Sequence, residues 1–240
     1  MKVTHIAHSG FSVELEKTVF VFDYYVGDFP AFDPEAEIFV LASHGHPDHF
    51  TKRIWQLLGK YEHLHFLLSD DIPEARVQKH FSVLGLDYEA NRKKIRFVGP
   101  HESVVWDGVQ IDTLLSTDLG VAFIVRAEGK TIYHSGDLHW WVWEGDTEEN
   151  HREMIDTYTG EIAKIEGLHM DLAFAVLDSR LKDYWQGLDY FMRHTDPAVV
   201  IPMHFWEDVD VIERFLALPC AEGYREKILH TGMGGESWEI

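Results

Sequence analysis

Ser43-His44-Gly45-His46-Pro47-Asp48-His49 packs three histidines and one aspartate into six consecutive residues. It follows Ile38-Phe39-Val40-Leu41-Ala42, an apolar run that reads as a short buried strand. Imidazole and carboxylate groups ligate zinc and other divalent first-row metals. So many polar groups seldom gather at a strand end without a shared partner, because burying them unpaired is costly. If the segment stays extended, His44 and His46 point the same way. A turn at Pro47 then lets Asp48 and His49 face an adjacent position.

Two more stretches place a ligand just past a short strand. Tyr133-His134-Ser135-Gly136-Asp137 follows Lys130-Thr131-Ile132, and Met203-His204-Phe205-Trp206 follows Val199-Val200-Ile201-Pro202. Three strand ends converging on one face can build a two-metal site. With H-x-H-x-D-H, Gly136-Asp137 and His204 in this order, the chain resembles the metallo-β-lactamase superfamily over nearly its whole length. Its opening His5-Ile6-Ala7-His8-Ser9-Gly10-Phe11 and its Ser135-Gly136-Asp137 are similar to a branch of small stand-alone hydrolases that includes ascorbate-6-phosphate lactonase-like proteins.

The resemblance implies an α+β fold, a four-layer αββα sandwich with two divalent metals at one edge. His44 and His46 would bind the first metal. Asp48, His49 and His204 would bind the second, and Asp137 would bridge both, which makes Asp48 and Asp137 the expected catalytic residues. A water shared by two cations loses a proton near neutral pH and becomes a nucleophile. The family pattern also expects a histidine upstream of the bridging aspartate, where this chain reads Leu115-Ser116-Thr117-Asp118-Leu119-Gly120. Asp118 is the candidate replacement, since carboxylate oxygen binds zinc at about 2.0–2.2 Å. Alternatively Ser116 or Thr117 holds a water there, or Asp118 is a turn residue before Gly120. Zinc is the first expectation for both metals. The oxygen ligand also admits manganese, iron or nickel.

Lys+Arg number 21 against 41 Asp+Glu, a formal charge of -20. Such a balance repels nucleic-acid phosphates. Cys220 is the one cysteine, which excludes an internal disulfide and fits a reducing compartment. The N-terminal stretch has no uninterrupted signal-peptide core, and no apolar run reaches the roughly 18 residues of a membrane span. The expectation is a single cytoplasmic domain over residues 1–240, with a small-molecule substrate and no nucleic-acid or membrane partner. A homo-oligomer is compatible with it.

Strands are expected at 2–8, 11–16, 18–24, 37–42, 65–68, 94–98, 103–106, 109–115, 121–126, 131–134, 171–177, 198–202 and 226–229. Helices are expected at 51–58, from Asp70 or Asp71 to Phe81, and at 147–166, 185–194 and 207–217. Asp107-Gly108 and Glu128-Gly129 are hairpin signals. Each half passes from strands into alternating strands and helices, which suggests two sheets face to face with helices outside.

Around the ligands, His139 reads as an auxiliary ligand, a proton carrier or a satisfied, partly exposed histidine. His8 reads as an orienting or a structural residue, and Asp23 as support for His46 or His49. Trp140, Trp141, Trp143, Trp185, Phe205 and Trp206 could wall a pocket or simply pack. Arg180 and Lys182 are the candidates for an anionic substrate group. The remaining histidines, His5 among them, read as structural or solvent-facing. The function expected first is a metal-dependent hydrolase using a metal-bound hydroxide on a small-molecule ester, lactone or phosphoester. The alternatives are a ribonuclease of the same superfamily and a metal-binding protein with little catalysis.

Overall fold

The computed structural model describes all residues, 1–240, as two compact units. The first comprises Met1–Gly99 and Gly234–Ile240, the second Pro100–Met233.

In the first unit, β1 (Lys2–Ala7), β2 (Gly10–Glu14) and β3 (Thr18–Phe22) form an antiparallel meander. β4 (Glu37–Ala42), β5 (Leu64–Ser69) and β6 (Ile95–Val98) then add parallel to β3 and to one another. The C-terminal strand Ser237–Glu239 pairs antiparallel with β1 on the far edge. Parallel strands need cover on both faces, so they read as near-continuous apolar runs. Accordingly every residue of β3 is buried, as is every residue of β4 after Glu37. One face, with Val21, Val40 and Phe66, packs with Ile54, Trp55, Val77 and Phe81 from the helical segments. Phe20, Phe22, Phe39 and Leu41, of opposite parity, are buried too.

The histidine motif begins at Ser43, where β4 ends. Its loop is pinned at Gly45, whose N–H donates to Asp71 Oδ2 at 2.9 Å and whose carbonyl accepts from the Arg76 guanidinium. A Cβ at Gly45 would meet Arg76 Nη1 at 3.1 Å and Asp71 Oδ2 at 3.2 Å, which explains the glycine between the two histidines. Asp71 therefore does not start a helix. α1 (Glu74–Leu84) begins after Pro73, and Asp71 holds the metal-motif loop instead. Thr51 caps its segment, accepting from Arg53 N, but Lys52–Gly59 is a 3-10 helix. A short α2 (Tyr88–Asn91) follows, capped by Asp87.

The second unit repeats the plan. β7 (Ser103–Trp106), β8 (Val109–Leu115), β9 (Val121–Ala127) and β10 (Lys130–His134) form an antiparallel meander. At Asp107-Gly108 and Glu128-Gly129 both central residues have positive φ, as a two-residue hairpin of the primed type requires. α3 (Glu148–Ala163) opens with Thr147 accepting from Asn150 N. β11 (His169–Met170) leads into β12 (Leu172–Val176), and α4 (Gln186–His194) precedes β13 (Asp196–Pro197) and β14 (Val200–Met203). β12 and β14 continue the sheet parallel to β10, while β11 and β13 pair only with each other. α5 (Asp210–Leu216) follows, and Tyr158, Ile162, Phe191, Val211 and Phe215 from the helices form the core against this sheet. No strand forms at 226–229. Arg225–Lys227 is a 3-10 turn, and Ile228 makes a single bridge to Val200.

α4 touches the candidate site through Gly187. A Cβ there would lie 2.5 Å from His139 Cε1 and 2.7 Å from Nδ1, while the Gly187 carbonyl accepts from the Tyr158 hydroxyl at 2.7 Å. Gly187→Ala should therefore cost about 1–3 kcal/mol by overpacking. A melting temperature equal to that of the parent in a thermal scan would show that the ring moves aside freely.

Candidate metal centre

The first unit builds its site around one buried carboxylate. Asp23 follows β3, is fully buried and has φ 44°. Its Oδ1 accepts from Ser43 N at 2.7 Å, and its Oδ2 accepts from Ser43 Oγ at 2.7 Å and from His49 Nδ1 at 2.7 Å. The Ser43 proton is thereby committed to Asp23, so His44 Nδ1, 3.0 Å from Ser43 Oγ, must be the donor in that contact. Both histidines thus carry their proton on Nδ1 and present the Nε2 lone pair outward. Asp23 supports His49 directly and His44 through Ser43. Of the two partners expected for it, His49 is found and His46 is replaced by His44.

The outward lone pair of His49 faces another acceptor. His49 Nε2 lies 3.7 Å from Asp48 Oδ2, and His8 Nε2 lies 3.5 Å from the same oxygen. One ligand atom each from His8, Asp48 and His49 falls within 4.8 Å of the others, and the same holds for His44 with His46. His44 Nε2 is 3.0 Å from His46 Nδ1. Burial works against ionisation of Asp48, but the neighbouring His8 and His49 hold the carboxyl well below the usual range. His8 therefore stands among the ligand candidates and not merely behind them. Its left-handed backbone, φ 55°, is braced by His5, whose Nε2–H donates to the His8 carbonyl at 3.1 Å.

The second unit uses the same device. Asp178, just past β12, is fully buried and accepts from His204 Nδ1 at 3.0 Å. His204 therefore also presents Nε2, 3.5 Å from Asp137 Oδ1. A lone pair aimed at a carboxylate oxygen is repulsive unless a cation lies between them, so these residues fit a divalent metal. Burial opposes the charge on Asp178, yet His204 and Arg180 keep its carboxyl far below the ordinary value. Asp118 sits in an exposed turn, its N–H donating to Ser116 Oγ at 3.2 Å, and offers a carboxylate oxygen within 4.8 Å of one from Asp137. It is thus a turn residue and a ligand candidate at once.

Backbone strain marks the same places. Seven non-glycine residues have positive φ, and four of them, His8, Asp23, His204 and Trp206, are site residues or their neighbours. Such conformations cost of order 1–3 kcal/mol each and persist where surrounding structure enforces them.

The aromatic residues divide. Trp141 donates its indole N–H to the Asp137 carbonyl at 2.8 Å, and its ring lies 5.5 Å from that of His204. Trp206 flanks His204 at 5.9 Å. Trp140, Trp185 and Phe205 pack with the helical core instead. His139 is not partly exposed. It is buried beside Trp141 and Tyr158, and burial pushes its pKa down to about 3, so it stays neutral. His134 is buried and its Nδ1 accepts from Gly136 N at 3.1 Å, fixing the turn that carries Asp137. Arg180 is fully engaged. It forks onto Asp178 and lies over Trp143 and Trp206 at 5.5 and 5.1 Å, while Lys182 is exposed. Asp178 went unnoticed in the sequence, although an aspartate directly after the apolar run of β12 repeats the signal that drew notice to Asp137.

A profile described as the beta-lactamase superfamily domain matches residues 2–157. The chain belongs to the metallo-β-lactamase superfamily. Within that superfamily it stands among the metal-dependent hydrolases. A UPF0173 metal-dependent hydrolase of Pelotomaculum thermopropionicum is 27% identical over 256 residues, covering all of both chains. A second, from Carboxydothermus hydrogenoformans, is 30% identical over 149 residues, 57% of this chain and 62% of that relative. Among solved structures, Igni18, a metallo hydrolase from Ignicoccus hospitalis, superposes with a TM-score of 0.62 at 17% identity, covering 100% of this chain and 98% of its own. That likeness establishes the fold, α+β and metallo-β-lactamase-like.

Partners that orient a metal-binding histidine commonly contribute about 10- to 100-fold in affinity. Asp23→Asn and Asp178→Asn should each weaken zinc binding by that factor, read by competition with a chromophoric chelator. Affinity unchanged in both variants would show that the histidines need no carboxylate to hold their tautomer.

Proposed function

We propose that the chain hydrolyses a small-molecule ester, lactone or phosphoester with the help of two divalent ions, zinc first among the candidates. As the superfamily resemblance implies, His44 and His46 are assigned to one ion and Asp48, His49 and His204 to the other, with Asp137 shared; Asp118 is added to the first as the replacement for the expected histidine, and His8 to the second for its place beside Asp48 and His49. The observation that carries this reading is the pair of buried carboxylates, Asp23 and Asp178, each fixing a histidine so that Nε2 aims at a carboxylate oxygen.

When bound, the ions supply a Lewis acid for the attacked carbonyl or phosphoryl oxygen and make water nucleophilic near neutral pH. The protein supplies rigidity. His49 and His204 have their Nδ1 protons sequestered by carboxylates, which removes them from proton transfer and reserves them as ligands. Trp141 and Thr117 hold the backbone around Asp137, Thr117 Oγ1 donating to the His139 carbonyl at 2.6 Å. The charge of -20 supports a small substrate over a polyanion. A ribonuclease reading would be favoured by tight, salt-sensitive RNA binding. No helix is long and apolar enough to cross a membrane. A single cysteine, Cys220, supports our assignment to the reducing cytoplasm.

Protein purified without chelator should carry one to two equivalents of metal, and His44→Ala combined with His46→Ala should lose most of one equivalent by elemental analysis. Unchanged metal content would remove the motif from the site. Asp137→Ala should abolish nearly all hydrolysis. Asp118→Ala should weaken one ion only, and Asp118→His should restore it, because imidazole replaces the oxygen donor. Full occupancy and activity in Asp118→Ala would reduce Asp118 to its turn.

A further inference from the structure

Beside Trp141 the second unit opens a cavity of about 350 Å³, within the range of small-ligand sites. Trp141 and Trp143 form one wall, with indoles stacked at 6.0 Å and 7°. Asp146 and Glu153 line it as well, and no lysine or arginine does. Neither carboxylate is engaged by a basic side chain. Ser116 and Thr117 complete the side next to Asp118. Two features tie the cavity to the candidate centre: Trp141 holds the Asp137 carbonyl, and Thr117 donates to the backbone of Asp137 and His139.

We propose that this recess selects the substrate by receiving a cationic group, such as an alkylammonium, against the tryptophan faces and the two carboxylates. The inference rests on the hydrolase reading and narrows its substrate class. Indole faces attract cations through their ring quadrupole, and the two carboxylates add direct attraction. The net charge of -20 raises the local concentration of cations and lowers that of anions. The basic group nearest these tryptophans, Arg180, is already neutralised by its fork onto Asp178 and so offers little to an anionic tail. A phosphorylated or carboxylated tail would instead meet Asp146 and Glu153 with its own charge.

The test uses the purified, metal-loaded protein and two probes of equal shape, choline and its uncharged isostere 3,3-dimethylbutanol. Indole fluorescence should report choline binding about tenfold tighter than the isostere. That preference should collapse in Asp146→Asn combined with Glu153→Gln, and weaken in Trp143→Ala. All three residues are exposed, so the variants should keep the parent melting temperature. Acetate esters of the same two alcohols, with a succinate half-ester as the anionic member, should show the same order in kcat/KM. Equal affinity for the two probes, or a preference untouched by the double substitution, overturns the inference. Hydrolysis without charge preference would sink the recess while leaving the hydrolase. Selective choline binding with no ester or lactone cleaved would support the recess and count against the hydrolase.

Discussion

The buried carboxylate of Asp23 is the constraint on which the first unit's site depends. It has no exposed surface, so its charge must be met entirely by donors. Three donors arrive, from Ser43 N, Ser43 Oγ and His49 Nδ1. Meeting that demand decides the protonation of two histidines, since the serine proton cannot serve both Asp23 and His44. The nitrogens left free to ligate are therefore selected by a residue that is not itself among the candidate ligands. The geometry also requires β3 and β4 to lie side by side and in register, because Asp23 follows one and Ser43 the other. The burial of those strands thus becomes a precondition for the chemistry at their ends.

The second unit reaches the same solution with unrelated sequence. There the aspartate follows β12 and the histidine follows β14, again adjacent parallel strands. The Asp178–His204 contact of 3.0 Å parallels the Asp23–His49 contact of 2.7 Å. In both, a histidine or aspartate of the device has a left-handed backbone, which bends the chain off the strand end and turns the side chain back. The local strain is tolerated because the strands beneath are rigid. A structural repeat of this kind leaves no sequence repeat, since it consists of two side chains held by pairing geometry.

That difference explains what the sequence disclosed. The H-x-H-x-D-H cluster was legible because its members are contiguous and sit after an apolar strand. Asp137 and His204 were legible by the same rule. Most strands and helices followed from their periodicity, and the two hairpins from their Asp-Gly and Glu-Gly turns. Asp178 carries the same local signal as Asp137, but its role was hidden because its partner His204 follows the neighbouring strand. The helix start at Asp71 misled for a related reason: its carboxylate is spent on Gly45 across a long loop. The strand at 237–239 was missed because three residues carry too little pattern, and its pairing with β1 is wholly non-local. His139 was one candidate for partial exposure, yet the absence of a side chain at Gly187 leaves the space that buries it.

The division of the tryptophans extends the same logic to recognition. Trp141 spends its indole N–H on the Asp137 carbonyl, so its polar atom serves the candidate centre while its ring lines the recess. Trp143 lies parallel to Trp141 and is exposed, and Trp206 flanks His204. Arg180, the group best suited to draw an anion here, is consumed in orienting Asp178, and through it His204. This cation holds Asp178 instead, and the lining of the recess carries two carboxylates and no basic side chain. On the proposal made for the recess, selectivity for positive charge follows from how the second unit neutralises its own buried aspartate, so that one ion pair bears both on the orientation of His204 and on the charge the recess would accept.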